Sequence, residues 1–481
     1  MTRTLSLLAL ALLLVQSPGA VELPDLGDSS QAGLPPHEER KIAEMTAREL
    51  RRSGEVIDDI EVTDFLSRLG YKLVSHSQDS RVPFRFYPLL SPEINAWAVP
   101  GGVIGINSGL VLLTQHESEL AAVLSHEIAH VTQHHYARLL ESQKGNSFMT
   151  LGALAVAILA SRSNSEALPA SLIASQNAMI QRYLDFSRDF EREADRVGID
   201  TLQRAGYDSR AMPTFFDRMQ RHYRNVDNGA FAFLRTHPVT AERLSDSQAR
   251  AEKQPYRLLP DSPDYLFTRE KLRGLQMGGP AALNYYSGTT AERKYADAAA
   301  QSYGYAHALF LIGRYDEAWN RLAEARRRHG RDHPMLAGLA ARIRLEQGRF
   351  ADARTLLGES RNRFPSAPGL LHGEIDLLLR QGETAEAVAL IERTQQERRG
   401  DALLYKRLAE AHTQRSQPLQ AHKAMAEYYA AIDETGAAIE QLRIALRSSS
   451  DFYQTAALEA RIKELRAQQD PEQRKKTQAG Q

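Results

Sequence analysis

Apolar residues recur along this chain with two different periods, and each change of period marks a change of architecture. From residue 37 to about 75 they fall three and four positions apart, at Ile42, Met45 and Leu50 and then at Ile57, Ile60, Val62, Phe65, Leu66 and Leu69. That spacing gathers them on one helix face and predicts helices. Val82 to Tyr87 and Ala96 to Asn107 are instead dominated by branched and aromatic residues, and Pro100-Gly101-Gly102 interrupts the second run. Short strands of a small sheet are expected there. Ser118 to Leu140 returns to the helical period and contains neither Gly nor Pro, so it predicts a helix. An insert follows at about 143 to 183, with the apolar run Phe148 to Ala160 broken by Ser161 to Ser165 and Pro169. A bilayer span takes about 20 residues, so this run predicts a buried or covering helix rather than a membrane crossing.

From about Gln301 the composition turns to Ala, Leu, Arg and Glu, and a skeleton repeats. Gly313-Arg314-Tyr315-Asp316-Glu317-Ala318 is echoed at Gly348 to Ala353 and at Gly382 to Ala387, spacings of 35 and 34 residues. Gly at a turn between helices, an aromatic residue two positions on in two copies and Ala five positions on resemble the tetratricopeptide repeat. A fourth copy has Ser416 in place of Gly and keeps Ala421; beyond it Ile432 to Ile439 looks like another turn only 17 residues further, so the last helices are expected to be irregular or capping. Residues 266–300 read as a helical connection, 301–467 as the repeat domain and 468–481 as a disordered tail.

Composition narrows the class. At 481 residues the chain is too long for one core, and 60 basic residues against 60 acidic leave no positive excess to bind nucleic acid. The first twenty residues, with Arg3, the apolar run Leu5 to Val15 and Ser17-Pro18-Gly19-Ala20, have the layout of a secretory signal peptide, followed by an extended arm at 21–36. No transmembrane span is expected in the mature chain. The absence of cysteine excludes disulfides and thiol catalysis.

The chemistry lies at His126-Glu127-Ile128-Ala129-His130, an HExxH motif inside the predicted helix. Positions i and i+4 share a helix face, so two imidazoles can meet one zinc ion, and Glu127 can take a proton from water polarised by the metal and pass it to the leaving amine. A catalytic zinc takes three protein ligands. The helix around Phe190 to Gly198 offers Glu191 and Asp195 on one face. Glu191 could bind the ion while Asp195 accepts the free N–H of a ligand histidine; Glu193 would point to solvent. By itself an acidic helix is usually just a solvated face. The strand at Asn95 to Asn107 is expected to border the site, where Ala96, Trp97, Ala98 and Val99 could bind an extended peptide by adding it to a sheet edge. His134 could face the site but lies too far along the axis to share the ion. His116, His135 and His222 have no evident partner, and another divalent metal would suit the same donors.

HExxH followed by the ExxxD pattern of Glu191 to Asp195 resembles the gluzincin family that contains HtpX and the CAAX prenyl proteases, over about residues 35 to 265. The resemblance implies a zincin-like α+β metallopeptidase domain at 37–265, mostly helical with a small sheet, ahead of an all-α repeat solenoid. It implies one Zn2+ per chain and makes Glu191 the third ligand. With the signal peptide, the Leu23-Pro24-Asp25-Leu26-Gly27 start and the repeats, the chain is similar to periplasmic proteases of Gram-negative bacteria that enhance assembly of β-barrel proteins. Outer-membrane β-barrel proteins are then the implied clients and substrates, and the repeats the implied contact with the β-barrel assembly machinery. The same likeness makes His237, in Thr236-His237-Pro238, a fourth ligand that keeps the enzyme latent, with Arg243 as its neighbour. A competing expectation is a repeat-based chaperone or adaptor whose zinc is structural.

Overall fold

The computed structural model describes residues 34–142, 188–224, 233, 237–257, 259–397 and 401–468. The expected signal peptide, nearly all of the arm, the insert at 143–183, Thr236 and all but the first residue of the tail lie outside the described residues. Helices α1 (Pro36–Arg52) and α2 (Ile60–Val74) precede strands β1 (Arg85–Leu89), β2 (Ala96–Val99) and β3 (Val103–Asn107). Next come α3 (Ser108–Leu113), α4 (Glu117–Thr132), α5 (His135–Ser142), α6 (Arg188–Arg204), α7 (Ala211–Arg224) and α8 (Ala241–Glu252). The sheet order is β1-β3-β2, with β1 parallel and β2 antiparallel to β3, which leaves β2 at an edge. One face of the sheet packs through Phe86, Ala96, Ala98, Ile104 and Ile106 against α2 and α4; the other carries Tyr87, Trp97, Val99 and Val103 to α1. Alternation along a pleated strand divides these side chains between two cores.

The connection at 266–300 is built from two helices, α9 (Pro263–Met277) and α10 (Gly279–Ala291). Helix α9 belongs to both halves of the molecule: Tyr265 and Leu272 enter the sheet-side core, whereas Phe267 packs with Tyr303 and Leu339. Beyond it stand α11 (Ala298–Leu311), α12 (Tyr315–His329), α13 (Pro334–Glu346), α14 (Phe350–Arg363), α15 (Pro368–Arg380), α16 (Thr384–Glu397), α17 (Ala402–Gln414), α18 (Pro418–Ala431), α19 (Thr435–Arg447) and α20 (Phe452–Gln468). Gly313, Gly348 and Gly382 take φ of 70 to 77° at the turns inside successive hairpins, the left-handed region that glycine enters without cost. Ser416 and Asp433 adopt the same conformation at 57° and 60°. The fourth copy therefore keeps the repeat geometry despite losing its glycine, and the early turn at Asp433 is of the same kind. The expected α+β domain followed by a helical repeat array is thus the fold observed. Among the described residues no helix is long and apolar enough to cross a membrane.

The repeats return to the first domain. Arg51 and Arg52 at the end of α1 reach Asp433 (2.6 Å) and Glu434 (2.7 Å) at the turn between α18 and α19. A buried ion cluster ties α9 to the start of α2, where Lys271 Nζ lies 2.6 Å from Asp59 and 2.5 Å from Glu61. Asp59 also caps α2 by accepting from the Glu61 and Val62 amides. Burial alone would raise the Asp59 carboxyl, but the Lys271 charge together with the hydrogen bonds from Lys271 and the Val62 amide holds it below the usual 3.8. Lys271→Met would leave two carboxylates facing each other without their cation. Equilibrium urea unfolding should show a loss of about 3–5 kcal/mol. Because the Asp59 pKa is depressed, its part of the stabilisation is present above about pH 3.8 and is lost as pH falls through the lower folded value, so the variant should approach the wild type only in acid.

Candidate metal centre

Helix α4 is buried from Ser118 to Thr132, so it runs through the domain rather than along its surface. Glu117 and Glu119 occupy its first turn, on the favourable side of the helix dipole. Helix α6 lies against it through Ala194 and Val197 packed on Ala129. Gly198 comes closest: a Cβ there would sit 3.2 Å from the His126 amide nitrogen. This approach of two backbones brings Glu191 and Asp195 within reach of His126 and His130.

The four side chains His126, His130, Glu191 and His237 offer donor atoms that all lie within 4.8 Å of one another. His126 Nε2 is 3.0 Å from His130 Nε2, 3.3 Å from His237 Nδ1 and 3.5 Å from Glu191 Oε2. Glu191 Oε1 is 3.3 Å from His130 Nε2 and 3.0 Å from His237 Nδ1. Donors about 2.0–2.1 Å from a tetrahedral zinc ion stand about 3.4 Å apart, so this set fits one. His126 Nδ1 points away from the cluster to Asp195 Oδ1 at 3.0 Å. Asp195 is in turn held by two 2.8 Å bonds from Arg243 Nε and Nη2, while Arg243 Nη1 reaches Glu191 and the Pro238 carbonyl, also at 2.8 Å. The residue after His237 is thereby tied to the same guanidinium.

Three buried carboxylates, Glu127, Glu191 and Asp195, share this volume with one buried arginine. Burial would lower the His126 imidazole, but its hydrogen bonds to Asp195 and Glu191 prevail and hold it at about 9. The His130 imidazole in the same cluster is pushed down to about 3 by burial, so it stays neutral, as a metal ligand must. Against the penalty of burial, the charges and hydrogen bonds around Glu191, Arg243 among them, keep it ionised well below the usual carboxylate range, and Arg243 lowers Asp195 as well. Glu127 behaves oppositely: burial pushes its carboxyl up, and its Oε1 lies 3.5 Å from His237 Nε2. A group that takes and returns a proton needs such a setting.

The edge strand β2 runs beside α4. Ala96, Trp97, Ala98 and Val99 are all buried, main chain included. The Ala98 carbonyl already accepts from Tyr136 Oη at 2.6 Å. The other histidines separate. His116 meets Asp261 at 3.1 Å, His222 lies on the surface against Tyr223, and His134, just beyond the end of α4, has its ring 3.6 Å from Glu39, outside the donor group. Three expectations need correction, the first being that of His116, which has the Asp261 partner just given. Glu193 is half-exposed but not simply solvated, because Arg138 holds its carboxylate at 2.8 Å and His135 Nε2 lies 3.4 Å away. His135 has a partner: it is buried with its Nδ1 2.9 Å from His130 Nδ1. Sequence spacing alone could not show this, since His135 follows a break in the helix. Gly198→Leu should force α6 off α4, costing about 1–3 kcal/mol in urea unfolding, and should weaken metal retention during dialysis against a chelator.

Residues 63–251 match the model of peptidase family M48, and residues 344–411 match that of the tetratricopeptide repeat. The beta-barrel assembly-enhancing protease of Yersinia pestis is 32% identical over 412 residues, covering 84% of this chain and 76% of that protein. The protein of the same description from Escherichia coli strain K12 is 30% identical over 468 residues, 93% of this chain and 92% of its own. With the likeness sustained from the peptidase domain through the repeats, the chain belongs to the family of β-barrel assembly-enhancing proteases within peptidase family M48.

Proposed function

We propose that this chain is an exported, zinc-dependent endopeptidase that acts in the quality control and assembly of outer-membrane β-barrel proteins, and that its resting state is latent. The observation that carries the reading is the closure of four buried donors into one group, with Glu127 just beyond the fourth. His126, His130 and Glu191 are the ligands that hold one zinc ion, and Asp195 orients His126. When bound, zinc supplies Lewis acidity toward water and the scissile carbonyl. Glu127 takes the proton from the attacking water and gives it to the amine that leaves. His237 fills the position that water or substrate needs, and it stands between Glu127 and the other donors. Its displacement, with the chain at Pro238 held by Arg243, opens the site. The edge of β2 is the place for an extended substrate segment, in line with β-strand addition. The names of the relatives support barrel proteins as clients and a periplasmic location, with the repeat domain as the surface that meets the assembly machinery.

The closed group of four also favours a second reading. Four protein ligands are characteristic of structural zinc, and an adaptor working through its repeats would need nothing more. Cleavage of a misassembled barrel protein separates the two. Glu127→Gln should reduce proteolysis by about 10²–10⁴-fold while metal content is unchanged; wild-type cleavage by that variant would remove Glu127 from the chemistry. His237→Ala should raise proteolysis above wild type, whereas unchanged or lower activity would contradict latency. If Glu127→Gln restored every phenotype of a deletion strain, the adaptor reading would hold instead.

A further inference from the structure

His130 and His126 do not receive the same support. Behind His126 Nδ1 stands the carboxylate of Asp195, gripped by Arg243. Behind His130 Nδ1 stands a second imidazole, His135 Nδ1, at 2.9 Å. The backbone places it there. Helix α4 closes with the Gln133 amide on the Ala129 carbonyl, His134 takes a left-handed φ of 51°, and α5 begins at His135. A left-handed residue at a helix end turns the chain back on itself, which carries His135 beneath the ring one turn earlier. Its side chain is fully buried, and its ring stacks on Phe190, the neighbour of Glu191, with centroids 4.8 Å apart at 19°. Arg138 lies over the same Phe190 ring at 4.7 Å and holds Glu193 at 2.8 Å.

The proton positions follow from these contacts. His130 presents Nε2 to the donor group, so in the neutral ring its proton is on Nδ1. Two Nδ1 atoms at 2.9 Å can share only one proton, so His135 Nδ1 is the acceptor and His135 carries its own proton on Nε2. That nitrogen faces Glu193 Oε2 at 3.4 Å. We propose that His135 is a positioning residue that fixes the ring and tautomer of His130, through a relay from the Arg138–Glu193 pair on one side of Phe190 to the metal-facing nitrogen. The inference rests on His130 being a metal ligand. It assigns work to His135, Glu193, Arg138 and the αL residue His134.

Outer partners of metal-bound histidines typically contribute about 10–100-fold in affinity. The test is zinc affinity of the full chain by chelator competition, together with the visible spectrum of the Co2+ form, for wild type, His135→Ala, His135→Asn and Glu193→Gln. His135→Ala should weaken zinc binding by about 10–100-fold and alter the Co2+ bands. His135→Asn should recover most of the loss, because its amide oxygen can accept from His130 Nδ1–H. Glu193→Gln should weaken binding by a smaller factor and add little in the His135→Ala background. Wild-type affinity in His135→Ala, or equal losses for Ala and Asn, would overturn the relay. If His135→Ala does not fold, Glu193→Gln decides, and unchanged zinc affinity and Co2+ bands there would overturn it. Wild-type protein that binds no zinc would overturn the ligand assignment and the relay together.

Discussion

The contact on which the site depends is the close approach of α4 and α6 at Gly198 and His126. It brings carboxylates from α6 to imidazoles from α4 in a volume that excludes water. Buried carboxylates are costly unless compensated, and here the compensation comes from one arginine on α8 and from the cation that the donor geometry fits. The helix approach, the charge balance and the metal site are one arrangement. Arg243 is its pivot, since one guanidinium touches Asp195, Glu191 and the Pro238 carbonyl. Any movement of the His237 segment must therefore be felt by Glu191 itself and by Asp195, the carboxylate behind His126.

The repeat domain is joined to this core more tightly than a tethered array would be. Helix α9 contributes side chains to both cores, and Lys271 locks it to the start of α2. At the far end, Asp433 and Glu434 reach back to Arg51 and Arg52. The array contacts the peptidase domain at both places, so a partner bound on the repeats has a physical route to α1 and α2, which pack on the sheet that carries β2.

Features encoded locally were legible in the sequence. His126 and His130 are four apart on a helix, as are Glu191 and Asp195, and residues at that spacing share a face in any environment. The turn glycines Gly313, Gly348 and Gly382 announced the repeats because a left-handed turn leaves few alternatives. Features that depend on nonlocal packing were not legible. Lys271 meets acids about 210 positions away, and nothing near it in the chain marks it as buried. Glu193 read as solvated because Arg138 lies on another helix. His135 looked unattached because helix periodicity, continued through residue 134, sends it to the wrong side; the reversal at His134 brings it under His130. His237 became legible only through family likeness, since a histidine in a loop carries no periodic signal.

X-ray absorption spectroscopy of the zinc-loaded resting protein tests the central claim most directly, because it counts the imidazoles around the ion. A closed group of His126, His130, Glu191 and His237 predicts four nitrogen and oxygen neighbours at about 2.0–2.1 Å with the scattering of three imidazoles. Scattering from only two imidazoles, with His237 contributing none, would contradict the account.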